Sequence, residues 1–144
     1  MNKQQSGFTL IELIMVIVIL GVLAAFALPR FADLGANARE ATIDGATGSI
    51  RSASAIVRSA VLAAGNNPAT VTLEGQAITI VNGYANAAGI LVAAQIGNDY
   101  TTNVTGTVAT VQATGAATLA NCQVTYTEAA VGGAPVIATA TGAC

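Results

Sequence analysis

The sequence predicts an α+β protein in which a long, bent N-terminal helix packs its C-terminal half on a small antiparallel β-sheet. Three observations lead to this fold class. An apolar run fills Phe8–Leu28, and an apolar repeat at helical spacing follows over Ile43–Ala64. From Gly65 to Cys144, short alternating segments are separated by Gly, Asn and Pro turn signals, which is typical of strands.

The composition excludes several functional classes. Of the 144 residues 53% are apolar and 8% are charged, whereas a soluble domain usually carries about 25% charged residues. The chain has no His, its one lysine is Lys3, and no Ser follows Ser59. A Ser–His triad, a His-ligated metal site and a P-loop lysine are therefore excluded. The net charge is −2, whereas proteins that bind nucleic acids usually carry a strongly basic surface, so this class is not expected either. We expect no enzyme, cofactor or metal.

The first half of the predicted helix is hydrophobic on all sides. Thr9 and Glu12 are the polar residues of Phe8–Leu28, and the seven residues before this run are polar. A helix of this length rises about 31 Å, which matches the hydrocarbon core of a bilayer. Such a surface must lie in lipid or in a packed protein interior.

The second half of the predicted helix is amphipathic. Pro29 removes one backbone hydrogen bond and predicts a bend, but apolar residues then recur three and four apart. These residues are Ile43, Ala46, Ile50, Ala53, Val57, Ala60 and Ala64. Asp44, Arg51 and Arg58 lie seven apart on the adjoining face and are predicted to point away from the apolar stripe. Gly65 and Pro68 end the helix. One helix from about Phe8 to Ala64 is expected.

The remainder predicts a sheet of four or five strands, one face of which the apolar stripe covers. Glu74-Gly75-Gln76 and Asn82-Gly83 are turn signals, and Ala87–Ile96 fits either a loop or a short helix. The strand candidates are Thr70–Leu73, Ala77–Val81, Thr107–Ala113, Gln123–Thr127 and Val136–Thr141.

The two cysteines, Cys122 and Cys144, predict a disulfide. A zinc site lacks further ligands, and a catalytic thiol lacks a base. Two buried unpaired thiols are the alternative. A disulfide would close a loop of about 23 residues, worth about 3.4 kcal/mol in the chain-entropy model. It would also place the sheet domain outside the cytosol.

Three hypotheses compete for the N-terminal segment. A secretory signal peptide cleaved after Ala27 would release a soluble domain, since Ala25-Phe26-Ala27 has small residues at the required positions. A plain membrane anchor leaves Glu12 with no partner unless it snorkels to the headgroups. In the third hypothesis a cut between Gly7 and Phe8 creates an ammonium one turn from Glu12. Pairing within one chain or between neighbours would then set the axial register of packed helices.

The third hypothesis agrees with a family resemblance. Gly7-Phe8-Thr9-Leu10-Ile11-Glu12 and the apolar run after it resemble the type IV prepilin signature, which continues through Gly21, Pro29 and Arg30-Phe31. Short blocks are similar to the mannose-sensitive haemagglutinin (MSHA) pilins in particular. These blocks are Phe31-Ala32-Asp33-Leu34, Asn37-Ala38-Arg39, Ser54-Ala55-Ile56-Val57 and Val81-Asn82-Gly83-Tyr84.

The resemblance implies roles for individual residues. A prepilin peptidase would cut between Gly7 and Phe8 and methylate the new amino group of Phe8. Glu12 would act with Phe8 in assembly, and helices of the family often lose regular structure between the positions matching Gly21 and Pro29. Cys122 and Cys144 match the disulfide loop of the family.

The resemblance also implies an organisation. Residues 1–7 would be a leader, 8–29 the transmembrane and filament-core half of the helix, and 30–144 a periplasmic, later extracellular, globular domain.

The function implied is that of a structural subunit of an adhesive or motile pilus. An inner-membrane platform and a cytoplasmic ATPase would polymerise the subunit with sister copies into an extracellular filament. The expected partners include surface or host glycans but no nucleic acid. The alternatives are a type II secretion pseudopilin, a minor pilin, and a secreted soluble binding module cleaved after Ala27.

Overall fold

The computed structural model describes residues 7–144, without the side chains of residues 32 and 33. Apart from Gly7, the predicted leader lies outside the described residues. The described chain is an α+β fold, as predicted, with antiparallel sheets after a long helix. Its elements are α1 (Leu10–Ala64), β1 (Thr70–Leu73), β2 (Gln76–Val81), β3 (Tyr84–Ala85), α2 (Ala87–Ala93), β4 (Tyr100–Thr105), β5 (Val108–Ala113), a 3-10 turn (Leu119–Asn121), β6 (Gln123–Thr127) and β7 (Val136–Ala140).

The described chain divides into two compact units, a first unit that ends at Gly35 and a second unit, Ala36–Cys144. In the first unit α1 is helical through Pro29, so the prediction of one continuous helix is confirmed, while the bend stays a prediction. The large apolar side chains from Phe8 to Leu34 are each between 46% and 86% exposed. Among the described helices α1 is long and apolar enough to cross a membrane. Among the described residues of its own unit, from Gly7 to Gly35, nothing covers this apolar surface.

In the second unit one face of α1 is buried. Ile43, Ala46, Ile50, Ala53 and Val57 belong to the core, as the apolar repeat predicts. Ala60 is half-buried and packs against the core, so the repeat is wrong only at Ala64, which is exposed, whereas Val61 is buried. Val61 lies 18 residues, or five full turns, after Ile43 and therefore shares its face, while Ala64 is the last residue of α1.

The C-terminal end of α1 follows a left-handed pattern. Gly65 has φ +67° and donates its N–H to the Val61 carbonyl at 3.2 Å. Asn66 and Asn67 are also at positive φ, and Pro68 follows. This segment satisfies a terminal carbonyl and turns the chain towards β1, as the stop signals predict.

The strands form two sheets, not the single sheet of four or five strands that the sequence predicts. One sheet has the order β1-β2-β3 and the other β4-β5-β6-β7, all antiparallel. Strand β4 was not predicted because five of its six residues are exposed, so it has no alternation between buried and exposed positions. Strand β3 has two residues, too few for a pattern.

Short-range geometry explains the hairpins and α2. In each of the pairs Glu74-Gly75 and Asn82-Gly83, both residues have a positive φ angle. This geometry forms the tight turn that joins two antiparallel strands, so both predicted turns are confirmed. The ambiguous segment Ala87–Ile96 contains the helix α2. Asn86 caps this helix by accepting from Gly89 N at 2.7 Å, and Glu128 Oε1 accepts from Ala87 N at 2.7 Å. Both acceptors satisfy N–H groups of the first turn.

A buried tyrosine joins the two sheets. Tyr126 of β6 is fully buried, and its hydroxyl donates to the carbonyl of Ala85 in β3 at 2.8 Å. Burial raises the pKa of Tyr126 to about 12, and the carboxylate of Glu128 contributes in the same direction. Tyr126 is therefore a core residue that also satisfies a backbone carbonyl of the other sheet.

The predicted disulfide between Cys122 and Cys144 is present, with Cα atoms 4.7 Å apart and both residues buried. The Arg39 side chain of α1 donates from Nε to the Cys144 carbonyl at 2.5 Å. Ala143 N donates to Asn121 O at 3.4 Å. The end of the chain is thereby attached both to the start of β6 and to α1 within the second unit.

Loss of this disulfide should destabilise the second unit. Cys122→Ser together with Cys144→Ser should lower the free energy of unfolding by about 3 kcal/mol, because the unfolded chain regains loop freedom. Urea unfolding of the full chain in detergent measures this change. Reductant should weaken the parent chain by a similar amount and leave the double variant unchanged. Equal stability of the oxidised parent and the variant would contradict the prediction.

Stability should fall at alkaline pH through Tyr126. An unfolded tyrosine ionises near pH 10, whereas folded Tyr126 ionises near 12, so the unfolded chain loses its proton first. The contribution, on the order of 2 kcal/mol, is complete below about pH 10 and is lost as the pH rises towards about 12. Tyr126→Phe should remove this pH dependence in urea unfolding. An unchanged pH dependence in Tyr126→Phe would show that another group is responsible.

Candidate functional site

The candidate site lies where α1 begins. Glu12 Oε2 accepts a hydrogen bond from the Thr9 amide at 2.8 Å and from the Thr9 hydroxyl at 2.6 Å. In return, the Glu12 amide donates to Thr9 Oγ1 at 3.3 Å. The first turn also includes the backbone bond from Leu13 N to Thr9 O at 3.2 Å. Thr9 and Glu12 are thus a reciprocal capping box at the N-cap and third helical positions.

This capping box stabilises a carboxylate in an apolar segment. The first N–H groups of a helix have no partner within the helix, and an uncompensated carboxylate in lipid is costly. Thr9 and Glu12 satisfy one another and reduce both costs. Sequence reasoning missed Thr9 and considered a Phe8 ammonium or the headgroups as partners for Glu12. The signal was present, because Thr-x-x-Glu before an apolar run is a capping-box pattern.

One carboxylate oxygen stays open for a further partner. Both Thr9 bonds go to Oε2, and within the described residues Oε1 of Glu12 accepts none. In this uncut chain the Phe8 nitrogen is a peptide amide, so pairing between a Phe8 ammonium and Glu12 stays a prediction. The geometry leaves room for both interactions, since they use different oxygens.

The predicted cleavage site is exposed and not helical. Gly7 and Phe8 precede α1, and Phe8 is 86% exposed. A Cβ added at Gly7 would meet nothing within 4 Å. The fold therefore does not require glycine at this position, and any such requirement must come from a partner.

The residues predicted to confer flexibility are helical. Gly21 and Pro29 both lie inside α1, and a Cβ at Gly21 would also meet nothing within 4 Å. Glycine and proline are the weakest helix formers, so these positions lower the local cost of unwinding. Loss of helix between them stays a prediction.

Part of this chain is similar to known proteins. The family model described as the prokaryotic N-terminal methylation motif matches residues 2–28. The chain is 56% identical over 51 residues to the "Type IV narrow pilus major component PilA5" of Thermus thermophilus. These residues are 35% of this chain and 44% of that protein. It is 59% identical over 39 residues to the "Type IV major pilin protein PilE1" of Neisseria gonorrhoeae. These residues are 27% of this chain and 24% of that protein. No solved structure matches.

A further relative is the "Type IV major fimbrial protein FimA" of Dichelobacter nodosus, 42% identical over 53 residues, which are 37% of this chain and 34% of that protein. The chain thus spans less than half the length of each of these curated relatives. The motif and the relatives confirm the resemblance to type IV pilins for part of the chain. The MSHA subtype stays a prediction.

The effect of the capping box on helix stability should be measurable in the full chain. Thr9→Ala removes the hydroxyl that bonds Glu12 and should cost the first turn about 1 kcal/mol. Hydrogen exchange of the amides of residues 11–13 in detergent should then accelerate about fivefold. Thr9→Ser, which keeps the hydroxyl, is the matched control and should exchange like the parent. Equal exchange in Thr9→Ala and Thr9→Ser would show that the box does not hold the turn.

Proposed function

We propose that the whole chain is a structural, non-enzymatic subunit of a type IV pilus, because part of the chain is similar to type IV pilins. The observation that carries this proposal is the exposed apolar surface of α1 from Phe8 to Leu34. A surface of this kind requires a cover of lipid or of other apolar helices. Assembly exchanges one cover for the other.

The proposal places the subunit in two locations in succession. Before assembly α1 anchors the chain in the inner membrane, where its length suits one crossing. After extraction the same helix packs against sister helices in the filament core, where close packing of apolar side chains replaces lipid. The second unit, with its disulfide, then lies on the extracellular fibre.

Processing belongs to the same proposal. A prepilin peptidase cuts the exposed bond between Gly7 and Phe8 and methylates the new terminus of Phe8. Methylation retains the positive charge and adds apolar surface. The absence of any packing demand on Gly7 supports a requirement imposed by the peptidase active site.

The assembly role rests on Glu12. The new Phe8 ammonium, from its own chain or a neighbour, binds Oε1, while Thr9 continues to hold Oε2. An arrangement of the packed helices that leaves this carboxylate without the ammonium is penalised, because charge in an apolar core requires a partner. The pair therefore selects one axial register.

The narrower assignment is an MSHA-like pilus for attachment to surfaces. Its support is the set of short blocks similar to MSHA pilins, including Val81-Asn82-Gly83-Tyr84, which here forms the turn between β2 and β3. Polymerisation by a membrane platform and its ATPase, and binding of surface glycans, belong to this narrower proposal.

The test is assembly of Glu12→Ala in native cells. The variant should be cleaved and inserted in the membrane, but sheared sedimentable filaments should fall at least tenfold, since the charge pair that sets the register is lost. Glu12→Gln has the same shape without the charge and should also fail. Immunoblots of the sheared and membrane fractions measure both outcomes.

The N-terminus of the native protein separates the alternatives. A chain that begins at N-methyl-Phe8 and carries an intact disulfide agrees with a pilin. A chain that begins at Leu28 and stays in the soluble fraction would establish the secreted module. Normal filament yield from Glu12→Ala would overturn the assigned role of Glu12.

A further inference from the structure

The charged side chains on one exposed face of α1 are sorted by sign along the helix axis. Glu40 and Asp44 come first, and Arg51 and Arg58 follow. At 100° per residue the four positions lie within about 40° of one another. Glu40, Asp44 and Arg51 are exposed, and Arg58 is half-buried. We call these four residues the charge row, and all of them lie in the second compact unit.

The basic half of the charge row lines a groove of about 420 Å³. Its walls include Arg51, Ser54, Arg58, Tyr84, Pro135 and Ile137. The groove thus combines two guanidinium groups with an aromatic ring and apolar surface. Such walls suit a carboxylate carried on an aliphatic stem, as in Glu or Asp.

The structure holds one of these arginines in place. Arg58 donates to the Gly83 carbonyl at 3.2 Å, and its guanidinium carbon lies 5.0 Å from the centroid of the Tyr84 ring. Gly83 has φ +85°, and a Cβ there would collide with this guanidinium. The cation is therefore preorganised at one wall, which lowers the entropic cost of binding an anion.

The other charges of the second unit are already used or lie elsewhere. Its third cation, Arg39, donates to the Cys144 carbonyl, so both remaining guanidinium groups line the groove. Glu74 accepts from Gln95, and Glu128 accepts from Ala87 N. In the second unit, the exposed carboxylates on the same face of α1 as the groove are those of Glu40 and Asp44.

We propose that the arginine groove binds the Glu40 and Asp44 carboxylates of a second copy of this chain. The inference rests on the proposed function, since a pilus holds its copies parallel. Glu40 and Arg51 lie 11 residues apart, about 16 Å, and Asp44 and Arg58 lie 14 apart, about 21 Å. Neither pair can meet within one rigid helix, but a parallel neighbour displaced by about 19 Å brings both together.

The charge row also disfavours another register. At a displacement of seven residues, Asp44 of one copy would face Arg51 of the next, but Arg51 would face Arg58. Like charges in contact are costly. A charge row with an acidic half and a basic half therefore favours the displacement of about 19 Å over the shorter one of seven residues. The contact joins the acidic half of one copy's charge row to the basic half of the other copy's row, so each copy keeps one half unpaired and can bind a further copy, as a filament requires.

The experiment is a charge swap in the full chain in native cells. Arg51→Glu and Glu40→Arg should each reduce sheared filaments at least tenfold, because each places like charges at the contact. Glu40→Arg combined with Arg51→Glu should restore them to within about threefold of the parent, since the pair is reversed but complementary. Asp99→Arg alters an exposed acid away from the charge row and is the control, expected to assemble normally.

Folding and assembly are read separately. Each variant should form the Cys122–Cys144 disulfide and reach parental levels in the membrane fraction. Parental filament yield from both single variants, or failure of the combined variant to recover while its disulfide forms, would overturn the proposal.

Failure of the proposed function would look different. It would show as a parent chain that forms no sedimentable filaments, or as Glu12→Ala assembling normally. Loss of filaments in Glu12→Ala together with normal filaments in both charge variants would reject the charge row alone.

Discussion

The apolar surface of the first half of α1 is the constraint on which the rest of the molecule depends. From Phe8 to Leu34 its large apolar side chains are 46–86% exposed, and no layer formed by the described part of the first unit covers them. The hydrophobic effect disfavours this state in water, so the segment is stable only in lipid or against other helices. A chain built in this way needs lipid or other apolar helices to cover this segment.

Apolar contact of this kind favours association but does not determine the axial position of one helix relative to another. A helix that is hydrophobic on all sides can pack in many similar ways. Specificity then depends on the few polar groups at the start of the run. The capping box places Glu12 Oε2 on Thr9 and leaves Oε1 for another donor. A carboxylate held in this way is tolerated in the uncut chain, and its free oxygen would favour the one arrangement of packed helices that gives it a donor.

The sequence predicted those parts of the fold that carry strong periodic or turn signals. The buried stripe from Ile43 to Val57, the turn at Asn82-Gly83 and the disulfide are in the structure as expected. Strand β4 escaped prediction because its side chains are exposed on both faces and its place depends on hydrogen bonds to β5, which are distant interactions. The packing of the two sheets against one another likewise depends on tertiary contacts, including the hydrogen bond from Tyr126 to Ala85.

In the candidate site, too, the sequence predicted the residue with a strong local signal but not the contacts that depend on three-dimensional geometry. The chemistry of Glu12 follows from an isolated charge in an apolar run, but its bond to Thr9 requires the local geometry of the helix start. The seven-residue spacing of Asp44, Arg51 and Arg58 was visible in the sequence. Tyr84 and Pro135 reach the same groove only through folding. In the proposed filament, a core of uniform apolar helices and a sorted row of charges are complementary, because the core would provide adhesion between copies and the charges would determine their displacement.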